Sequence, residues 1–300
     1  MSASDLSAPA PRLRFFDVTS SDGTRLRAWT NDAQGPTVLL CNGLGTNPYA
    51  WPALTDPSCG VRVLSWNHRG IGGSARPADP SHVRIEEFVQ DALAVIDHEG
   101  VDACVVMGWS MGVNIAFELA VGHPARVTGL FAVAGVPGNT FGAMLEPLPI
   151  PRMLRRRLTE GTARVMHRAG SLLTPVISRV PWTDLTAGAL RHSGFMLPGA
   201  PSTVVKPAVS EFLTTPVDWY MHLALHTSQH ERVTLSTVRV PTTFVAGRWD
   251  VLAGTGDLRS AADDIPGARY VELRGSHFLP MEQPRAVHAE LLALLHRVSA

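Results

Sequence analysis

Apolar residues along this chain fall into short unbroken runs, and between the runs they recur at three- and four-residue spacing. Residues 37–40, 103–109, 127–134 and 241–247 are runs of the first kind, too short for helices and too continuous for strands with one wet face, and 269–273 reads as a further strand. Strands buried on both sides carry this pattern, so the runs predict a mostly parallel sheet covered by helices on both faces. The stretch after 109 has helical spacing, as has 257–265, and a last helix follows residue 277. After 134 the alternation stops for about a hundred residues and resumes at 241. The expected organisation is a core of 12–137 and 236–300, a mainly helical cap of 138–235 inserted between the sixth and seventh strands, and a flexible N-terminus of 1–11.

The run 103–109 ends in Gly108-Trp109-Ser110-Met111-Gly112 and passes directly into the helical pattern. A serine on so tight a strand-to-helix turn has a strained backbone and close neighbours that only very small side chains permit, which accounts for the two glycines. Its hydroxyl points out of the sheet, and the N–H of Met111, at the helix start, points at any anion developing there. Ser110 is therefore the candidate nucleophile. A serine hydroxyl attacks poorly until a base takes its proton, and the base needs an acid to orient it. Asp250 lies just past the carboxyl end of the 241–247 run, and His277 lies in the loop after 269–273; loops at that edge of an open α/β sheet carry function. The loop after 127–134 holds no rival acid. Asp250 could also cap the helix that follows it, since aspartate is favoured there.

With these residues in the chain order Ser110, Asp250, His277, the sequence resembles the α/β-hydrolase superfamily over nearly its whole length. Four segments carry the resemblance: Cys41-Asn42-Gly43-Leu44-Gly45, the turn 67–74 (Asn-His-Arg-Gly-Ile-Gly-Gly-Ser), the serine elbow, and the Asp250 and His277 loops. The resemblance implies that the first segment is an oxyanion loop, with the N–H of Leu44 joining that of Met111 around a carbonyl oxygen. The chain departs from many relatives at Asn42, where they have His, and at Asn67, where they have Asp. Epoxide hydrolases and haloalkane dehalogenases of this fold use an Asp nucleophile where this chain has Ser110. Arg69 is expected to hold its turn.

Composition narrows the class. The chain has 26 basic and 26 acidic residues, which leaves no electrostatic footprint for nucleic acid. Residues 1–11 lack the apolar core of a secretory signal, and no run approaches a membrane span. Of three cysteines, Cys41 and Cys104 lie in apolar strand runs and read as buried thiols while Cys59 lies in a loop; a disulfide scaffold is not expected, and a cytoplasmic location is. No metal-ligand or nucleotide spacing is present, and the chemistry requires no cofactor. Within 138–235, ten basic residues outnumber six acidic ones, giving +4 against −4 for the remainder. Arg155 to Arg157 read as a solvated helix face.

The cap is also rich in methionine and aromatic residues, which suit an adaptable apolar pocket, though many such residues serve as cap core. The expected pocket walls are Asn42, Gly43, Trp109, Trp249 and Phe278 from the core, with Met144, Phe195 and Met196 from the cap. The reading is a serine hydrolase cleaving carboxylic esters of an apolar acyl group. The basic cap suggests contact with an acyl carrier or a lipid surface. The same fold also hosts thioesterases, perhydrolases, C–C hydrolases and slow-turnover ligand receptors.

Overall fold

Two-sided burial, the property predicted for the apolar runs, is how the central strands of this protein are built, whereas the strand at 269–273 is an edge strand with no fully buried residue. The computed structural model describes residues 13–146, 149–179, 183–193 and 195–300, so the expected flexible segment 1–11 and Trp182 of the cap lie outside the described residues. Eight strands, β1 (Arg14–Thr19), β2 (Arg25–Thr30), β3 (Thr37–Cys41), β4 (Arg62–Trp66), β5 (Cys104–Trp109), β6 (Val127–Val133), β7 (Thr242–Gly247) and β8 (Arg269–Leu273), form one sheet. Their spatial order is β1-β2-β4-β3-β5-β6-β7-β8. β1 and β2 pair antiparallel, as do β2 and β4, and every other pairing is parallel. All six residues of β5 and all six of β7 are buried.

Alternate residues of each strand feed two apolar layers. Leu39, Cys41, Val106 and Phe244 face α1 (Ile85–His98) and α2 (Gly112–Gly122), packing with Phe88, Ile96 and Phe117. Val38, Leu40, Met107, Phe131 and Val245 meet Leu291 and Leu294 of the C-terminal helix, Pro284–Ser299, on the other face. This is the α/β-hydrolase arrangement of a mostly parallel sheet between helices. All three cysteines are buried and free, Cys59 included.

Between β6 and β7 run α3 (Thr140–Ala143), α4 (Arg152–Ile177), α5 (Asp184–Arg191), α6 (Ser202–Phe212) and α7 (Val217–Thr227), with no strand among the described residues there. α4 lies along α7; the hydroxyl of Thr174 accepts from the Val217 N–H at 2.9 Å, and His167 Nδ1 is 2.9 Å from the Asp218 carbonyl. At the neck of the insert, the N–H of Asn139 donates to the carbonyl of His230 at 3.2 Å.

One expectation about this region needs correction. Arg155 does not belong to a solvated face; it is buried, because the helix turns it inward together with Ala163 and Gly170. Arg156 and Arg157 are exposed as expected. Half of the cap's ten basic residues are paired within the molecule, Arg152 with Asp257, Arg156 and Arg164 with Glu160, Lys206 with Asp184 and Arg232 with Asp264.

The turn 67–74 joins core and cap. Arg69, fully buried, donates to Asp91 through Nε at 2.9 Å and Nη2 at 2.7 Å, and reaches Asp22 and the His82 carbonyl. Its own carbonyl accepts from Trp219 Nε1 on α7 at 2.8 Å. Arg69 thus holds its turn, as expected, and the turn carries α7. Beside it His68 is buried with neither ring nitrogen hydrogen-bonded among the described residues, and burial pulls it down to about 4.

Candidate active site

β5 delivers Ser110 to the carboxyl edge of the sheet in a left-handed backbone conformation, φ 55°. Such a conformation is costly for a residue with a side chain and persists only where its surroundings fix it. They do so here: the Ser110 N–H donates to the Val133 carbonyl on β6 at 3.0 Å, and the chain turns at once into α2. The flanking glycines are steric necessities, since a Cβ on Gly112 would sit 1.9 Å from the Cys41 carbonyl oxygen and one on Gly108 2.6 Å from the Val113 Cα.

Ser110, Asp250 and His277 meet at this edge. Ser110 Oγ is 2.8 Å from His277 Nε2, and His277 Nδ1 is 2.9 Å from Asp250 Oδ2. A carboxylate only accepts, so Nδ1 carries the proton and donates, which leaves Nε2 as the acceptor facing the serine hydroxyl. Asp250 is buried, and its Oδ1 also accepts from the N–H groups of Leu252 and Ala253 at 2.7 and 2.8 Å. Asp250 does not cap the helix that follows, Thr255–Asp263, whose N-cap is Gly254; its second oxygen closes the loop before that helix instead. The N–H groups of Leu44 and Met111 have no hydrogen-bond acceptor among the described residues, and both residues line the cavity in front of Ser110. Two free donors there can receive an oxyanion.

That cavity has a volume of about 350 Å³, and no Asp, Glu, Lys or Arg is among its described lining residues. Gly43, Trp109, Met144, Phe195, Met196 and Phe278 line it, as expected. Asn42 and Trp249 do not. Asn42 is buried behind the wall, where its Oδ1 accepts from Trp51 Nε1 at 2.7 Å and its amide reaches Ser65 Oγ, so the amide completes a core hydrogen bond. Trp249 is 46 % exposed and is not among the residues lining the cavity, although Asp250 is its neighbour. Trp109 does more than line the wall, because its Nε1 donates to the His277 carbonyl at 3.0 Å and steadies the histidine loop.

Sequence reasoning missed two groups of residues. Phe212 of α6 and Tyr220 of α7 form the cap side of the cavity, and no motif marks them. Burial pushes the Tyr220 hydroxyl up to about 12, so it stays a neutral phenol. Glu282, buried in a short helix (Leu279–Glu282), accepts from the N–H and hydroxyl of Ser276 at 2.7 and 2.6 Å and from the N–H of Leu197 in the cap at 2.7 Å. A carboxylate five residues after His277 was the available signal.

A family model described as the alpha/beta hydrolase fold matches residues 36–174. Epoxide hydrolase A of Mycobacterium tuberculosis is 28 % identical over 95 % of this chain and 98 % of its own length. Rhodomycin D methylesterase DauP of a Streptomyces species is 26 % identical over 93 % of this chain and 95 % of its own. A thermophilic esterase from Thermogutta terrifontis superposes with a TM-score of 0.71 at 20 % identity, over 96 % of this chain and all of that one. The order of elements and these likenesses agree: the chain has the α/β-hydrolase fold and is similar to hydrolases built on it.

Proposed function

We propose that this protein hydrolyses carboxylic esters of apolar acyl groups through an acyl-enzyme on Ser110. The observation that carries the reading is the unbroken hydrogen-bonded line from Asp250 through His277 to Ser110 Oγ, opening into a cavity without charged side chains. Ser110 Oγ attacks the ester carbonyl while His277 Nε2 takes its proton, and the Leu44 and Met111 N–H groups hold the oxyanion. The same proton passes to the departing alcohol oxygen, leaving the acyl group on Ser110. Water, deprotonated by His277, then attacks that ester, and the acid leaves as Oγ regains its proton.

The likeness to proteins named epoxide hydrolases does not extend this reading to epoxides. A serine oxygen opening an epoxide would leave an ether, which water and a histidine do not cleave; opening by a carboxylate leaves an ester, which they do. The named methylesterase and esterase fit the serine better. An acyl-carrier partner draws no support from the cavity, since no Asp, Glu, Lys or Arg is among its described lining residues.

The test is initial rates on p-nitrophenyl esters from acetyl to palmitoyl, wild type beside Ser110→Ala. Serine-dependent turnover with a chain-length optimum supports the reading. No turnover across the panel by folded protein removes it and favours another acyl-transfer chemistry or a ligand receptor.

A further inference from the structure

α4 has two apolar faces where a cap helix needs one. The inner face, with Ala163 and Gly170, packs against α7. On the outer face Leu154, Leu158, Val165, Leu172 and Val176 are 48, 47, 65, 78 and 64 % exposed. At about 100° per residue these five fall within roughly 40° of one another, on the side turned away from Ala163 and Gly170, and they run for about 33 Å. Exposed aliphatic residues scattered singly need no explanation, but a continuous stripe of this length on a soluble face marks a surface that meets something.

The charges beside the stripe say what. Arg157, Arg164 and Arg168 project along one flank, and Arg157 and Arg168 are exposed with no carboxylate partner among the described residues. Glu160 is the one acidic residue of the helix against six arginines. An apolar stripe edged by arginine matches a layer of anionic lipid head groups over acyl chains. A second copy of this chain fits less well, because an antiparallel α4 would set each arginine flank against its own symmetry mate. No helix among the described residues is long and apolar enough to cross a membrane, so the contact would lie in the plane of the surface.

We infer that the outer face of α4 docks this protein on an anionic lipid surface, with the five aliphatic side chains entering the acyl boundary and Arg157, Arg164 and Arg168 meeting head-group phosphates. The contact is independent of the active site, since α7 stands between α4 and the cavity.

The experiment is co-sedimentation of the full chain with vesicles of phosphatidylcholine alone, or with roughly a third of phosphatidylglycerol, at low salt and at about 0.5 M salt. The inference expects partitioning at least tenfold stronger on the anionic vesicles, weakened by salt. Val165→Asp with Leu172→Asp should lower it at least tenfold, with circular dichroism and melting temperature showing the fold retained. Arg157→Gln with Arg168→Gln should reduce the preference for phosphatidylglycerol over phosphatidylcholine. Absence of vesicle binding, or equal binding by the aspartate variant, overturns it. So does light scattering that finds a dimer dissolved by the same two aspartates, for the occupant is then a second copy.

Discussion

Glu282 holds Ser276 by both its backbone N–H and its hydroxyl, and Ser276 is the residue immediately before His277. The same carboxylate accepts from Leu197, so one side chain fixes the histidine loop and ties it to the cap. Glu282→Ala strands three donors and is expected to cost about 2–4 kcal/mol of stability. Below the melting temperature of both proteins it should also lower kcat on p-nitrophenyl esters, because the histidine loses its support. Calorimetry beside kinetics checks this; a variant as stable and as active as wild type would contradict it.

Asp250→Asn separates orientation from folding. The amide oxygen can still accept from Leu252 and Ala253, but an NH2 now faces His277 Nδ1 and favours the other tautomer. A loss of about 10³–10⁴ in kcat is expected with little change in melting temperature. A loss below tenfold would mean that another group orients the histidine.

Ser110→Ala and His277→Ala should each remove most of the rate, and the double variant should be scarcely worse than either, because the hydrogen-bonded groups act as a unit. Losses that multiply would show two independent contributions and would break the proposed mechanism.

Gly45 has φ +74°, and a Cβ there would lie 2.8 Å from the Phe212 ring and 2.9 Å from that of Tyr220. Gly45→Ala is expected to destabilise by about 1–3 kcal/mol through strain and crowding. Since both rings line the cavity and Leu44 is adjacent, KM for longer esters should rise along with the fall in Tm. An unchanged KM would place the strain elsewhere.

His68 makes stability depend on pH. Its folded pKa of about 4 lies below the ordinary 6.5, so the unfolded chain binds the proton first as acid is added. The contribution is complete above pH 6.5 and is lost as pH falls from there through about 4, on the order of 3 kcal/mol at the acid end. Urea unfolding between pH 7 and pH 4 reads it, and His68→Phe should flatten the slope by that amount. A slope identical in the variant would assign the acid sensitivity to other groups.

The core was legible because its physics is local. β5 and β7 follow the runs 103–109 and 241–247, and the turn at Ser110 follows its glycines, since buried parallel strands and a strained elbow each leave an unambiguous pattern. The Asp250 and His277 loops followed from chain order along the sheet edge. The pocket was legible only in part. Trp249 failed because adjacency to Asp250 says nothing of direction in a loop, and Asn42 because its partner Trp51 is recruited from nine residues away. Phe212 and Tyr220 are brought in by the packing of α6 and α7, for which no short-range signal exists. Arg155 carries a charge that predicts exposure, and helix phase overrode it.

The hydrogen bond between Asn139 and His230 closes the insert at its base. To the sheet, the roughly ninety residues between them are a loop whose ends already touch, and doubling such a loop costs only about 0.6 kcal/mol in closure entropy. The insert is in this sense a cassette. Its helices can be lengthened, shortened or replaced, and the shape of the cavity changed with them, while β6, β7 and the positions of Ser110, Asp250 and His277 remain unaltered.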